Sequence, residues 1–170
     1  IDTAAGFGTN HLSAYHLTLE PNTLFHRNPP PLPDGELAAD MQDMIEERLA
    51  ASGYLNYETS AFARPGRECR HNLNYWRFGD YLGIGAGAHS KLSFAGRIVR
   101  QMRYKQPGQY MESAASGSAI QEHHDVAANE IGFEFMMNAL RLNQGFPSAL
   151  FEERTGMPLT AVLKELAAAE

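Results

Sequence analysis

The sequence predicts a mixed α/β fold followed by a small helical segment, and three observations lead there. A strand-like run, a helix-like run and a second strand-like run follow one another over the first sixty residues, the pattern of a βαβ unit with a parallel sheet. Past residue 120 the texture changes from β-rich to helical, with tight turns between the helices. A composition of 44% hydrophobic and 20% charged residues supplies a real core for a chain of 170.

Each element has a local justification. Residues 1–8 read as the tail of a helix closed by glycine. His11 to Leu19 is a strand candidate between Gly8-Thr9-Asn10 and Pro21-Asn22. Asn22 to Pro33 carries four prolines and is expected to be a loop without helix. Asp34 can then cap a helix with Glu36 in its first turn, and Leu37, Met41, Met44, Ile45 and Leu49 form an apolar stripe up to the stop at Gly53. Tyr54 to Ser60 is the next strand. Asn72 is expected to cap a short helix through Arg77, Asp80 to Ala86 to form a glycine-rich strand, and Lys91 to Tyr104 a hairpin turning at Ala95-Gly96. Pro107 can start a helix that Ser116-Gly117-Ser118 ends. Asp125 is expected to cap a helix with Ile131, Phe135 and Met136 on one face, and Pro147 and Pro158 to open the next two, with Gly145 and Gly156 closing those before them. Three such helices suggest a winged-helix-like appendage, with the boundary near residue 118. The domains are then 1–118 and 119–170.

Composition excludes several classes. A net charge of −6 argues against a general nucleic-acid binder, which would show a basic face. Neither an apolar run near the ~18 residues of a membrane span nor a signal-peptide core is present. A single cysteine forms no internal disulfide, so the reducing cytoplasm is the expected compartment. Both ends read as cut, and a parallel sheet broken at its first strand would expose an edge that favours homo-oligomers.

The chemistry concentrates between Arg67 and Ser90, which holds the only cysteine, the only tryptophan and four glycines from Gly79 to Gly87. Gly83-Ile84-Gly85-Ala86-Gly87-Ala88 matches G-x-G-x-x-A, but a hairpin follows instead of a helix, and no carboxylate lies at the required distance. The glycines are read instead as places where a neighbouring element, or a ligand at a barrel strand end, approaches closely. Cys69-Arg70-His71-Asn72 followed by Tyr75-Trp76 is the stronger candidate. His71 is either a satisfied histidine beside a helix cap, or an imidazole offered to a metal or a flat aromatic ligand with Tyr75 and Trp76 as stacking surface. Cys69 and His71 together cannot close a zinc site, though either could be an axial ligand to heme. His123-His124-Asp125 resembles a metal pair, but adjacent side chains diverge, and it is read as a solvated helix start.

Through HLSAYHLTLEPNT, NYETSAFARPG, CRHNLNYWRFGDYLGIGAGAHS, FEFMMNALRL and FEERTGMPL, in that order, the chain resembles the oxygen-independent coproporphyrinogen III oxidase-like radical SAM proteins. The run His71-Asn72-Leu73-Asn74-Tyr75-Trp76 matches the HNxxYW signature of the heme-chaperone branch. The resemblance implies the C-terminal strands of a partial (β/α) barrel and the start of a helical C-terminal domain. It implies heme as ligand, held by His71, Asn72, Tyr75 or Cys69, and heme-accepting proteins as partners. A [4Fe-4S] cluster and S-adenosylmethionine are implied for the full-length protein only, since the CxxxCxxC loop is absent from these residues. Thr18 and His89 fall where the family's strand ends approach the adenosyl group. The alternative is a radical oxidase of porphyrin biosynthesis that decarboxylates a porphyrinogen.

Overall fold

The computed structural model describes residues 1–163 and 167. Two compact units make up the chain, Ile1–Cys69 and Arg70–Glu170.

In the first unit α1 (Asp2–Gly6) precedes β1 (His11–Ser13). The strand is shorter than the sequence pattern predicts, because residues 14–20 leave the sheet without regular structure. The proline-rich stretch does admit one turn of helix, α2 (Leu24–Arg27), fitted between Pro21 and Pro29 and capped by Thr23 through the His26 N–H. Helix α3 (Gly35–Ala51) starts as expected, with Asp34 Oδ1 accepting from the Leu37 N–H at 2.9 Å. After Gly53 (φ +81°), β2 (Leu55–Glu58) and β3 (Ala61–Ala63) form a tight antiparallel pair.

Strands β1 and β2 do not pair with each other. The order is β1-β3-β2, and β3 runs antiparallel to both, so the expected strand–helix–strand pair is parallel in direction but separated by an inserted strand. Ala61, Phe62 and Ala63 are all buried in that central position. Leu49, Tyr54 and Phe62 form the core of the unit, with Ala5, Leu12, Ala14 and Ile45 against them. The Tyr54 hydroxyl donates to the Thr9 carbonyl at 2.6 Å, satisfying its one polar atom. Of the α3 stripe only Leu49 is buried, and Leu37, Met41 and Met44 are exposed.

The second unit opens with the short helix α4 (Arg70–Trp76). Strands β4 (His89–Phe94) and β5 (Arg97–Arg103) form the predicted hairpin around Gly96 (φ +78°). Helix α5 (Pro107–Ala115) ends as predicted at Ser116-Gly117. The segment then returns as β6 (Ile120–Asp125), the third strand of an antiparallel sheet of order β4-β5-β6. Two expectations fail here. His123 and His124 lie on an exposed edge strand and not at a helix start, and Asp125 ends that strand instead of capping the next helix. The sheet joins residues on both sides of position 118.

Helix α6 (Ala128–Ala139) begins after Val126, whose N–H donates to the Ile98 carbonyl. Its periodicity puts Ile131, Phe135, Met136 and Ala139 inward, and all are buried. Phe135 meets Phe78, Phe146 and Phe151 edge-on at 5.7, 5.0 and 5.1 Å between ring centroids. Gly145 lies beyond the helix end, where Leu140 is the C-cap. Helix α7 (Ser148–Thr155) follows Pro147 and closes at Gly156 in the left-handed region. A 3₁₀ turn (Leu159–Ala161) packs back on α6, close enough that a Cβ on Gly132 would come within 3.0 Å of Val162. The far end of the helix expected after Pro158 lies outside the described residues. Among the described residues no helix is long and apolar enough to cross a membrane.

Candidate functional site

Helix α4 carries the histidine, the asparagine and both aromatics of the focal segment. It starts at Arg70, three residues earlier than an Asn72 cap would require, so Asn72 is the third residue of the helix and not its cap. With 100° between successive residues, His71 and Tyr75 share one face, and Asn72 and Trp76 share another. The His71 ring is exposed and meets Tyr75 edge-on at 4.7 Å. Tyr75 in turn lies 4.5 Å from Tyr81. The Tyr81 hydroxyl accepts from Arg100 Nη1 at 2.8 Å, and Arg100 is paired with Glu134 on α6. A chain of rings therefore leads from the exposed imidazole to the sheet and the core helix.

On the other face the Arg141 guanidinium stacks 4.3 Å over the Trp76 ring. The Trp76 indole Nε1 is buried and has no acceptor among the described residues. Cys69, half-buried and unoxidised, immediately precedes α4 as the last residue of the first unit.

The turn at its C-terminal end holds the helix in place. Phe78 adopts φ +53°, a left-handed conformation costly for a bulky residue, and thereby turns its ring into the core. Gly79 comes next, with its N–H on the Asn74 carbonyl at 2.7 Å; a Cβ there would sit 2.8 Å from that oxygen. The Asn74 side-chain amide donates to the Asp80 carbonyl at 2.9 Å. Lys91, 1% exposed, reaches across from β4 and donates to the Phe78 carbonyl, Asp80 Oδ1 and Ser93 Oγ at 3.0, 2.9 and 3.0 Å. Its ammonium also lies 4.1 Å from the Phe78 ring centroid.

Burial pushes the Lys91 pKa below its ordinary value, against the pull of Asp80. Burial alone would raise the Asp80 carboxyl. The Ser93 N–H, the Lys91 and Ser93 side-chain hydrogen bonds and the Lys91 charge outweigh it and hold the pKa below the ordinary value.

The stretch expected to be a third strand is a loop. Only Tyr81 bridges to Lys91, and residues 82–88 run irregularly. The close-approach reading of its glycines holds at Gly83, where a Cβ would come within 2.2 Å of the His89 carbonyl oxygen. The loop is pinned by Gly83 N–H to Ser90 Oγ and Gly85 N–H to the Tyr110 hydroxyl, leaving Leu82 and Ile84 exposed.

Of the residues singled out from the sequence, the structure brings His71 and Tyr75 together and turns Asn72 to a different side of the same helix. Thr18 is exposed in the irregular stretch after β1, in the first unit, and His89 is exposed at the start of β4, in the second. A cavity of about 430 Å³ in the first unit, lined by Tyr15, His16, Leu17, Leu32, Met41 and Ile45 among others, contains none of the candidates. Sequence reasoning missed Tyr81 and Lys91. Nothing in their spacing announces them, since the reversal at Phe78 is what brings Tyr81 to Tyr75 and the turn to Lys91.

The donor set does not fit an iron–sulfur cluster. The chain has one cysteine, and among the described residues no group of three or more His, Cys, Asp or Glu is arranged to hold a metal ion.

Residues 126–170 match the family model described as the HemN C-terminal domain. The chain is 48% identical over 148 residues to the heme chaperone HemW of Escherichia coli (strain K12), covering 86% of this chain and 38% of that protein. It is 45% identical over 157 residues to that of Haemophilus influenzae, covering 92% and 40%, and 33% identical over 176 residues to that of Bacillus subtilis, covering 98% and 45%. The chain thus spans about two fifths of the length of these relatives. A solved structure described as coproporphyrinogen III oxidase (HemN) from Escherichia coli, a radical SAM enzyme, superposes with a TM-score of 0.71 at 17% identity, covering 99% of this chain and 42% of that one. That likeness is one of fold.

Proposed function

The chain belongs to the HemW-type radical SAM family as its C-terminal part, and on that premise we propose that it is the heme-handling portion of a heme chaperone. The observation that carries this reading is the exposed His71 ring held edge-on by Tyr75 on the HNxxYW helix. A carrier must grip its cargo and release it. An imidazole fixed by an aromatic neighbour, with its other flank in solvent, can ligate heme iron from one side and leave the opposite face open to an acceptor protein. Tyr75 covers part of the macrocycle, Cys69 is the competing thiolate, and Asn72 adds a polar group to the heme site from the adjoining face of the helix.

On this reading residues 1–118 are the C-terminal part of the barrel and 119–170 the start of the helical domain, joined by β6. Thr18 and His89 are each carried over from the resemblance as positions near S-adenosylmethionine in the full-length protein, and the [4Fe-4S] cluster is assigned to no residue of this chain. The protein works in the cytoplasm, where its thiol stays reduced.

The test uses the full-length protein. His71→Ala should weaken heme binding and shift the heme absorption maximum while the circular dichroism stays unchanged. Cys69→Ser is the control. If only Cys69→Ser alters the spectrum, the axial ligand is the thiolate. If neither does, heme sits elsewhere and the α4 site is refuted. Decarboxylation of a porphyrinogen by the full-length protein would favour the oxidase alternative.

A further inference from the structure

Helix α4 has a face that the heme reading leaves unused. At 100° per residue, Arg70, Asn74 and Arg77 fall within about 60° of one another, one step around the helix from His71 and Tyr75. Arg154 of α7 comes to the same place. The three arginines, with Leu73, Asn74 and Gly79, line a pocket of about 320 Å³.

Among the described residues no carboxylate lines it, although the chain has 20 acidic against 14 basic residues. Among the described residues no carboxylate pairs with Arg70 or Arg77, and Arg154 has only Glu153 at 3.7 Å, itself 65% exposed. Of the other acids close by in sequence, Glu68 and Glu152 do not line the pocket, and Asp80 is committed to Lys91 and Ser93. The three guanidiniums therefore face one another across the pocket with no lining carboxylate among the described residues, and Lys91, shifted down chiefly by burial, is lowered further by Arg100 and Arg154. Three guanidiniums around one concavity repel one another, and an anion between them would reverse that cost. Guanidinium forks match carboxylates in plane and spacing.

We propose that Arg70, Arg77 and Arg154 form a carboxylate subsite for the propionate groups of a tetrapyrrole whose centre sits against His71 and Tyr75. The proposal rests on the heme reading of α4 and gives it a basis for selectivity, namely free propionates over an uncharged porphyrin. The scale is right. On a helix about 10–12 Å across, faces some 120° apart lie about 10 Å from each other, comparable with the reach from the middle of a macrocycle to its carboxylates.

The experiment titrates the full-length protein with iron heme and with its dimethyl ester, in which both propionates are uncharged. Wild type should prefer the free acid by about tenfold or more, the scale of one lost charge-assisted hydrogen bond. Arg77→Gln and Arg154→Gln should each weaken the free acid by about tenfold while leaving the affinity and absorption maximum of the ester unchanged. Unchanged ester binding also reports an intact fold. Arg77→Lys should keep part of the preference. Variants that hold the free acid as wild type does, or that lose both ligands alike, overturn the subsite. If His71→Ala abolishes iron ligation while the arginine variants keep full discrimination, the heme reading stands and the subsite falls. If wild type binds neither form, the heme reading falls and takes the subsite with it.

Discussion

Helices α4 and α6 lie in the same compact unit and are held there by opposite means. Helix α6 has twelve residues and buries five, Ile131, Gly132, Phe135, Met136 and Ala139. Helix α4 has seven and buries none. The first is fixed by apolar burial, on the order of 1.5–3 kcal/mol for each large side chain. The second is fixed at its C-terminal end by polar groups, through Asn74, Gly79, Asp80 and the ammonium of Lys91. The difference separates stability from chemistry. A helix that buries its functional face cannot present it, and α4 is free to present His71, Tyr75 and the arginines because its anchoring is done by the adjoining turn.

The contrast can be attacked at its strong end first. Phe135→Ala removes the ring at which Phe78, Phe146 and Phe151 converge and should cost about 3–5 kcal/mol in chemical denaturation. A loss below about 1 kcal/mol would mean that α6 is not the principal support of the unit.

Next comes the polar anchor. Lys91→Met keeps the stem but removes three hydrogen bonds, and should cost about 2–3 kcal/mol, moderated by the partial exposure of Asp80. The pH dependence has a definite sign. The Asp80 carboxyl is held below its ordinary 3.8 in the folded state, so its contribution is complete above that value and is lost as pH falls through the lower folded one. Asp80→Asn should flatten that part of the acid limb of a stability profile. The Lys91 ammonium is shifted below its ordinary 10.5, so folding disfavours its proton. Its contribution therefore rises with pH between the folded value and 10.5. A profile of Lys91→Met identical to wild type on the alkaline side would contradict this.

The same contrast decides how much of the molecule was legible in its sequence. The spacing of Ile131, Phe135 and Met136 marks α6 because burial is periodic and periodicity is visible in a sequence. Asp34 and Gly156 announce helix ends through local chemistry, and both hold. His71, Tyr75 and Trp76 were recognisable as a cluster. Tyr81, which meets Tyr75, and Lys91, which holds the turn after the helix, were not, because a non-glycine residue at φ +53° has no signature in residue type. The strand expected over Asp80 to Ala86 failed for a related reason. Its glycines looked like strand gaps but serve the close contact with the His89 backbone and the turns at Gly85 and Gly87. The Asn72 cap failed because the helix starts at Arg70, and β6 was missed because all six of its residues are exposed and leave no apolar alternation to read.

A third test sits at the seam between the two modes. Gly83→Ala would drive a Cβ to 2.2 Å from a backbone oxygen that cannot rotate away, and should cost about 1–3 kcal/mol in a thermal or urea melt. Replacement without loss would show that the loop relaxes more easily than its hydrogen bonds to Ser90 and Tyr110 imply.

The smallest effect on stability is expected where the largest effect on binding is. His71→Ala, on an exposed face, should leave the melt within about 0.5 kcal/mol of wild type. A larger shift would make the imidazole a structural element and remove the contrast between the helices.

The reversal at Phe78 also sets an order in time. Seven residues are too few for a helix to persist on its own in water, so α4 has no fixed position until its anchors exist. Lys91 and Ser93 are synthesised after it, and the core that receives the Phe78 ring includes Phe135 and Phe151, made later still. A chain emerging from the ribosome therefore passes through a long interval in which the HNxxYW segment is present but unformed. The surface proposed to hold heme comes into being only once most of the second unit has been made.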